Sequence, residues 1–193
     1  MADEVLTERK GHFFYITLNR PTVLNAINLD ETVAFHDAVE AFKADDEAFI
    51  AILSGNGRAF CAGADLKDMV VEQSRSQEER IERAQLRRKK GDTLMRTQEC
   101  WKPIIAAVHG FALGGGLEIA MSTDLIVAAS DARLGLPEAK RGIVPGIGIY
   151  KLHRQIPLKC AMEIMLLGED RLSPERAMQM GLVNRVVPVQ ADW

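Results

Sequence analysis

A mixed α/β fold follows from three features of the chain. Apolar runs of strand length, such as Ile104 to Val108, alternate with segments whose apolar residues recur at helical spacing. Glycine and proline punctuate the joins between them. A chain of 193 residues with 47% hydrophobic content can bury one sizeable core, so a single domain over residues 1–193 is expected.

The first elements are a hairpin and a capped helix. Val5 to Glu8 and Phe13 to Leu18 flank Lys10-Gly11, and Arg20-Pro21 ends the second strand. Asn28 can cap a helix with Glu31 at the reciprocal position, after which Phe35, Ala38, Val39 and Phe42 form one apolar stripe to pack on a sheet. The next strand, Phe49 to Leu53, closes on the turn signal Ser54-Gly55-Asn56-Gly57. Small residues follow in Phe60-Cys61-Ala62-Gly63-Ala64-Asp65-Leu66-Lys67, between that strand and a helix. Backbone without bulky side chains lets a ligand come close, and Ala64 could supply an N–H; the same pattern also fits an ordinary helix start with Asp65 in its first turn.

From Glu72 to Lys90 the chain is strongly charged and poor in apolar residues, as expected of a solvated loop and helix. Its basic cluster could attract the phosphates of a ligand or RNA, although charge runs more often form a wet face. Gly91 interrupts the pattern, and Leu94, Gln98 and Trp101 then share a helix face leading to Pro103 and the strand Ile104 to Val108. His109, at the end of that strand, is read as structural.

The stretch from Gly110 to Pro145 carries the chemistry. Gly114, Gly115 and Gly116 stand between a strand and the helix Leu117 to Ser122. The first N–H groups of a helix are unpaired and lie at the positive end of its dipole, so negative charge is stabilised there. That suits a phosphate or the oxyanion of enolate chemistry. Neither GKS, GKT nor GxGxxG is present, which favours the carbonyl. Glu118 lies three residues after Gly115, on the same face of the first turn, although acidic residues favour that turn for dipole reasons alone. Glu138 follows a strand-like segment and Pro137, among Leu134, Leu136 and Ala139. Burial there would raise its pKa above the reference of about 4.3, toward a range useful for proton transfer; a pair with Lys140 or Arg141 is the other reading.

Beyond it, Pro145-Gly146-Ile147-Gly148 introduces an apolar helix, and Leu158 to Leu167 reads as a helix ended by Gly168. Ser173 caps another, with Pro174 at its first position and Gly181 past its end, and Val183 to Val187 is a last strand.

Bulk properties exclude several classes. A formal net charge of −3 argues against a dedicated nucleic-acid binder. Cys61, Cys100 and Cys160 are far apart, with no CxxC and no histidine cluster, so neither disulfides nor a metal site is expected. MADEVLTERK has no apolar signal core, and no run approaches the roughly 20 residues of a membrane span. A cytoplasmic protein with no membrane partner is expected.

HGFALGGGLEIAMSTDLIVAASDARLGLPEAKRGIVPGIG resembles the core signature of the enoyl-CoA hydratase/isomerase (crotonase) superfamily. FCAGADLKDM resembles the second half-site of that family and LNRPTVLNAIN its opening segment, all in the expected order. The resemblance implies a crotonase-like spiral of repeated ββα units. It implies that the N–H groups of Ala64 and Gly115 form an oxyanion hole for an acyl-CoA thioester. Ala62, Ala64, Asp65, Leu66, Lys67 and Gly115 would bind substrate, and Glu118 and Glu138 would be catalytic. No cofactor is implied, because coenzyme A is part of the substrate, and the family forms trimers and hexamers. Two departures stand out. Ile149-Tyr150-Lys151-Leu152 replaces the small and polar residues expected after PGxG, and the family's C-terminal helices do not follow Val187.

Two glutamates favour hydration of a trans-2-enoyl-CoA, with 3,2-enoyl-CoA isomerase as the nearest enzymatic rival. A non-catalytic acyl-CoA- or RNA-binding protein is the rival from another class.

Overall fold

The computed structural model describes residues 3–90 and 100–189. The strands are β1 (Val5–Lys10), β2 (Phe13–Leu18), β3 (Ile50–Gly55), β4 (Ile104–Val108), β5 (Phe111–Leu113), β6 (Leu125–Ala129), β7 (Arg133–Gly135) and β8 (Arg185–Val187). The helices are α1 (Leu29–Ala44), α2 (Leu66–Ser74), α3 (Gln77–Lys90), α4 (Gly115–Ala120), α5 (Gly148–Gln155), α6 (Leu158–Leu167) and α7 (Pro174–Met180).

A six-stranded sheet in the order β1-β2-β3-β4-β6-β8 carries the core, and β5 and β7 form a separate two-stranded sheet. The β1–β2 hairpin is antiparallel and every other pairing is parallel. Phe14, Ile16 and Leu18 on β2, Ala51 and Leu53 on β3, and Ile104, Ala106 and Val108 on β4 are buried, which is the period-two burial of a sheet face. On β1 only Val5 is buried; Glu8, Arg9 and Lys10 keep this edge strand charged and exposed. The α1 stripe of Phe35, Ala38, Val39 and Phe42 is buried as the spacing predicts. Lys102 stops the end of that helix: its ammonium donates to the Phe42 and Asp45 carbonyls at 3.0 and 2.7 Å.

A repeat emerges that sequence self-similarity does not reveal. Turn after turn, a long strand enters the large sheet, a short extended segment follows beside it, and a helix returns. β3 leads to Cys61 and α2; β4 leads to β5 and α4; β6 leads to β7 and the 3-10 turn Pro137–Arg141. The short segments stack on one another, with Ile27 bridging Ala64, Cys61 bridging Ala112, β5 pairing with β7, and Leu134 bridging Leu172. That column of short segments positions the site.

Several expectations are corrected. The third strand starts at Ile50 and runs through Ser54 and Gly55; Phe49 is outside it, stacked on His12 at 4.2 Å. Glu31 forms the capping box in part: Asn28 accepts the Glu31 N–H at 2.8 Å and its amide acts back on the Glu31 carboxyl, whose buried oxygens make no hydrogen bond of good geometry. The charged stretch is helical almost throughout, because Ser76 and Glu79 form a reciprocal cap at 2.9 and 3.2 Å that starts α3. Leu94 and Gln98 of the expected helix face lie outside the described residues, and Trp101 is in irregular backbone, fully exposed. The strand-like segment expected before Pro137 is present as β7, in a different sheet from β6.

Candidate active site

Three strand ends converge. Cys61 N–H donates to Phe111 O at 2.9 Å and Leu113 N–H to Cys61 O at 3.1 Å, so residues 61–64 run beside β5 and its glycine loop. Pairing of β5 with β7 sets Leu113 opposite Gly135, and Gly114 N–H donates to Gly135 O at 2.9 Å. The chain leaving β7 therefore delivers Glu138 to Gly114.

The two expected amides belong to neighbouring segments. A Cβ built on Gly115 would lie 3.9 Å from the Ala64 nitrogen, and one built on Gly63 would lie 3.4 Å from the Gly115 nitrogen. Neither the Ala64 nor the Gly115 N–H donates to backbone among the described residues, and Ala64 is exposed. Two glycines make the approach possible. Gly63 has φ +92° and sits where a side chain would strike the Leu113 carbonyl; Gly114, at φ +53°, faces the Glu138 carboxyl. Gly116 packs so tightly that a Cβ would clash with the Cys61 carbonyl.

Both glutamates lie close to the glycine loop. Glu118, 4% exposed in the first turn of α4, accepts the Gly148 N–H on Oε1 at 2.7 Å, so the start of α5 closes over it. Glu138 Oε1 would be 2.9 Å from a Cβ on Gly114, and its Oε2 is buried without a hydrogen-bond partner. Burial pushes the Glu138 carboxyl above its ordinary value and the Glu118 charge adds to this, while its own backbone amide and Arg141 pull the other way. Of the two expected partners, Lys140 is turned to Asp170 at 3.1 Å and Arg141 acts only through its charge.

The rest of the 62–67 segment caps a helix. Asp65 stands before α2 and not within its first turn, and its Oδ1 accepts the Lys67 and Asp68 N–H groups at 3.1 and 3.2 Å. Leu66 and Lys67 are exposed on that first turn, and Ala62 is half-buried beside it. The His109 ring meets the Gly57 carbonyl at 2.9 Å, in keeping with a structural part. The basic cluster is partly neutralised: Arg75 and Arg83 hold Glu72 at 3.1 and 2.7 Å, and Lys90 holds Asp37 at 2.7 Å.

Sequence reasoning missed three supports. Gly148 was visible only as part of PGIG, with nothing to say that its N–H meets Glu118. Arg20 read as a strand end, yet it holds Glu4 at 2.7 Å and Asp65 at 3.1 Å. Lys151 donates to Ser122 Oγ at 2.8 Å, which donates to the Glu118 carbonyl at 2.7 Å, just beyond α4.

Comparison with known proteins bears on this arrangement. A sequence profile described as enoyl-CoA hydratase/isomerase matches residues 8–192. (E)-Benzylidenesuccinyl-CoA hydratase of Thauera aromatica is 37% identical over 189 residues, covering 97% of this chain and 71% of the relative. Short-chain-enoyl-CoA hydratase of Clostridium acetobutylicum is 36% identical over 187 residues, covering 96% and 69%. The crystal structure of an enoyl-CoA hydratase/isomerase from Xanthobacter autotrophicus superposes with a TM-score of 0.85 at 38% identity, over 96% of this chain and 67% of that one. Such likeness carries the crotonase-like spiral expected from the motifs. The chain spans 64% of the length of another relative, a probable mitochondrial enoyl-CoA hydratase of Dictyostelium discoideum, to which it is 40% identical over 189 residues.

Proposed function

The chain belongs to the enoyl-CoA hydratase/isomerase family, and on that premise we propose that it adds water across the double bond of a trans-2-enoyl-CoA to give a 3-hydroxyacyl-CoA. One observation carries the reading above the others. The Ala64 and Gly115 amides lie near each other, Glu138 packs against Gly114 with one oxygen unpartnered, and Glu118, in the same helical turn as Gly115, acts on Glu138 through its charge.

In this reading the thioester carbonyl accepts both N–H groups. As water oxygen bonds to C3, electron density moves from the double bond onto the carbonyl oxygen, where the two donors stabilise it; the C2 carbon then takes a proton. Each oxyanion donor is worth roughly 100- to 1000-fold in rate. Glu138, whose carboxyl is held above its usual range, shuttles the proton. Glu118, fixed by Gly148, orients and activates the water. Leu66 and Lys67, exposed at the head of α2, lie along the CoA path. No metal or cofactor enters these steps.

The rival within the family is migration of the double bond, which moves a proton between C2 and C4 and adds no water. A panel of trans-2- and trans-3-enoyl-CoAs separates the two. Hydration removes the conjugated enoyl absorbance of crotonyl-CoA, whereas isomerisation of a 3-enoyl-CoA creates it. Turnover of 3-enoyl substrates alone would replace the proposed reaction with isomerisation, and acyl-CoA or RNA binding without any turnover would replace it with a binding role. A family of trimers and hexamers also makes self-association part of the proposal, checked by sedimentation.

A further inference from the structure

The Ala64 amide depends on a neighbour that the catalytic reading leaves out. Residues 20–27 form a cradle for residues 59–65. Ile27 N–H donates to Gly63 O at 2.8 Å and Asp65 N–H to Ile27 O at 2.9 Å, while Ala62 N–H donates to Leu24 O at 2.9 Å. Asn25, fully buried, accepts the Arg20 N–H at 2.7 Å and donates to the carbonyls of Asn56, Ala59 and Phe60. Leu24 and Asn25 hold φ of 56° and 53°, a conformation side chains seldom adopt, so the cradle is kept by its surroundings and not by local preference.

Arg20 ties the cradle to the loop. Its guanidinium donates to Asp65 Oδ2 at 3.1 Å, pairs with Glu4 at 2.7 Å and donates to the Ala26 carbonyl. Asp65 immediately follows Ala64, and its other oxygen starts α2. The carboxylate is thus held at both oxygens, one by Arg20 and the other by the first turn of α2, while the Ile27 N–H holds the Gly63 carbonyl on the other side of Ala64. Beside this group lies Glu31, 1% exposed, with both carboxyl oxygens unpartnered. The charged and titratable groups that act on it and its surroundings are Arg20, Glu4, Asp65 and the buried Cys61 thiol. One cation thus serves three carboxyl groups.

We propose that Arg20 is a positioning residue for the Ala64 N–H, acting through Asp65, and that Glu31 is the buried acid whose ionisation draws Arg20 away from Asp65 and slackens the loop. Burial first, then the Glu4 and Asp65 charges, push the Glu31 carboxyl up to about 8, with Arg20 and the Asn28 amide opposing. Below that value Glu31 is neutral and Arg20 belongs to Asp65 and Glu4. Above it a third negative charge competes for the same guanidinium, and the Ala64 amide loses its fixed aim.

The inference rests on the hydratase reading for its catalytic consequence, but not for its structural one. Amide hydrogen exchange over residues 62–68 needs no substrate. At matched pH, Arg20→Met is expected to exchange at least about 10-fold faster there than the wild type, with Arg20→Lys between them, while the β2–β3 core is unchanged. In turnover of crotonyl-CoA, Arg20→Met is expected to lower kcat by about 100-fold with a smaller change in KM, since the misplaced donor acts chiefly in the transition state. Glu31→Gln is expected to remove the alkaline decline of kcat centred near pH 8. Should the wild type turn over no enoyl-CoA, the hydratase reading fails and the exchange measurement still decides the latch. Equal exchange in all three proteins, or an alkaline limb that persists in Glu31→Gln, would overturn the proposal.

Discussion

Glu118 Oε1 accepts the Gly148 N–H across 2.7 Å, whereas Glu138 Oε2 is buried without a partner. One acid is thus fixed in orientation by main chain from another element. The other keeps an oxygen able to meet a water or a substrate atom. This asymmetry matches the division of labour proposed for them, and each side of it can be tested.

Gly148→Ala probes the fixed side. A Cβ there would lie 2.8 Å from Leu136 Cδ1, 3.1 Å from Pro145 Cβ and 3.4 Å from Glu118 Oε1, so the buried Leu136 side chain or the start of α5 must shift. We expect a stability loss of about 1–3 kcal/mol, the usual cost of overpacking. Weakened orientation of Glu118 should lower kcat by about 10-fold, within the contribution of a positioned acid–base group. Thermal denaturation and steady-state kinetics on the same preparation measure both.

Glu31 gives a stability prediction independent of any substrate. Its folded-state pKa is raised to about 8 from the ordinary 4.5, chiefly by burial. Between those values the folded chain binds more protons at this site than the unfolded chain. Its contribution is therefore fully present below pH 4.5 and is lost as pH rises through 8. Glu31→Gln should flatten this decline, so that the difference in denaturant midpoint between variant and wild type grows in the variant's favour from pH 6 to pH 9. A constant difference over that range would contradict the assignment.

Lys151 should be unusually reactive. Burial lowers its pKa to about 8, against a partial opposing pull from Glu118, and its amine faces Ser122 Oγ at 2.8 Å. At pH 8 about half of such an amine is neutral, against well under 1% for a lysine near the ordinary value. Competitive labelling with trace acetic anhydride at pH 8, read by peptide mass spectrometry, should mark Lys151 ahead of Lys67 and Lys89, with the difference closing by pH 11.

Much of this fold was legible because it rests on local chemistry. The hairpin around Gly11, the Phe35 to Phe42 stripe, the Ser173-Pro174 helix start and the Gly168 and Gly181 stops all carry their cause within a few residues. What stayed hidden is tertiary. β5 and β7 are three residues each, too short for a period to declare itself, yet their pairing delivers Glu138 to Gly114. The spacing Asn28 to Glu31 satisfied the capping pattern, but nothing local says that the carboxyl is buried within reach of the charges of Arg20, Glu4 and Asp65. The amides of Ala64 and Gly115 could be nominated from small residues and from resemblance. That they adjoin depends on the bridge from Cys61 to Ala112, which no window of sequence contains. Arg20 was hidden for the same reason, since its partner Asp65 lies in a different turn of the spiral.

The central claim, that a carboxyl pair beside two converging amides hydrates an enoyl thioester, is tested most directly by following crotonyl-CoA absorbance with the wild type and with Glu138→Gln. The account predicts a saturable loss of enoyl absorbance with the wild type. It predicts at least about a 100-fold lower kcat with the variant, at unchanged thermal stability within about 1 kcal/mol. A wild type that leaves the absorbance untouched, or a variant that turns over as fast as the wild type, would contradict it.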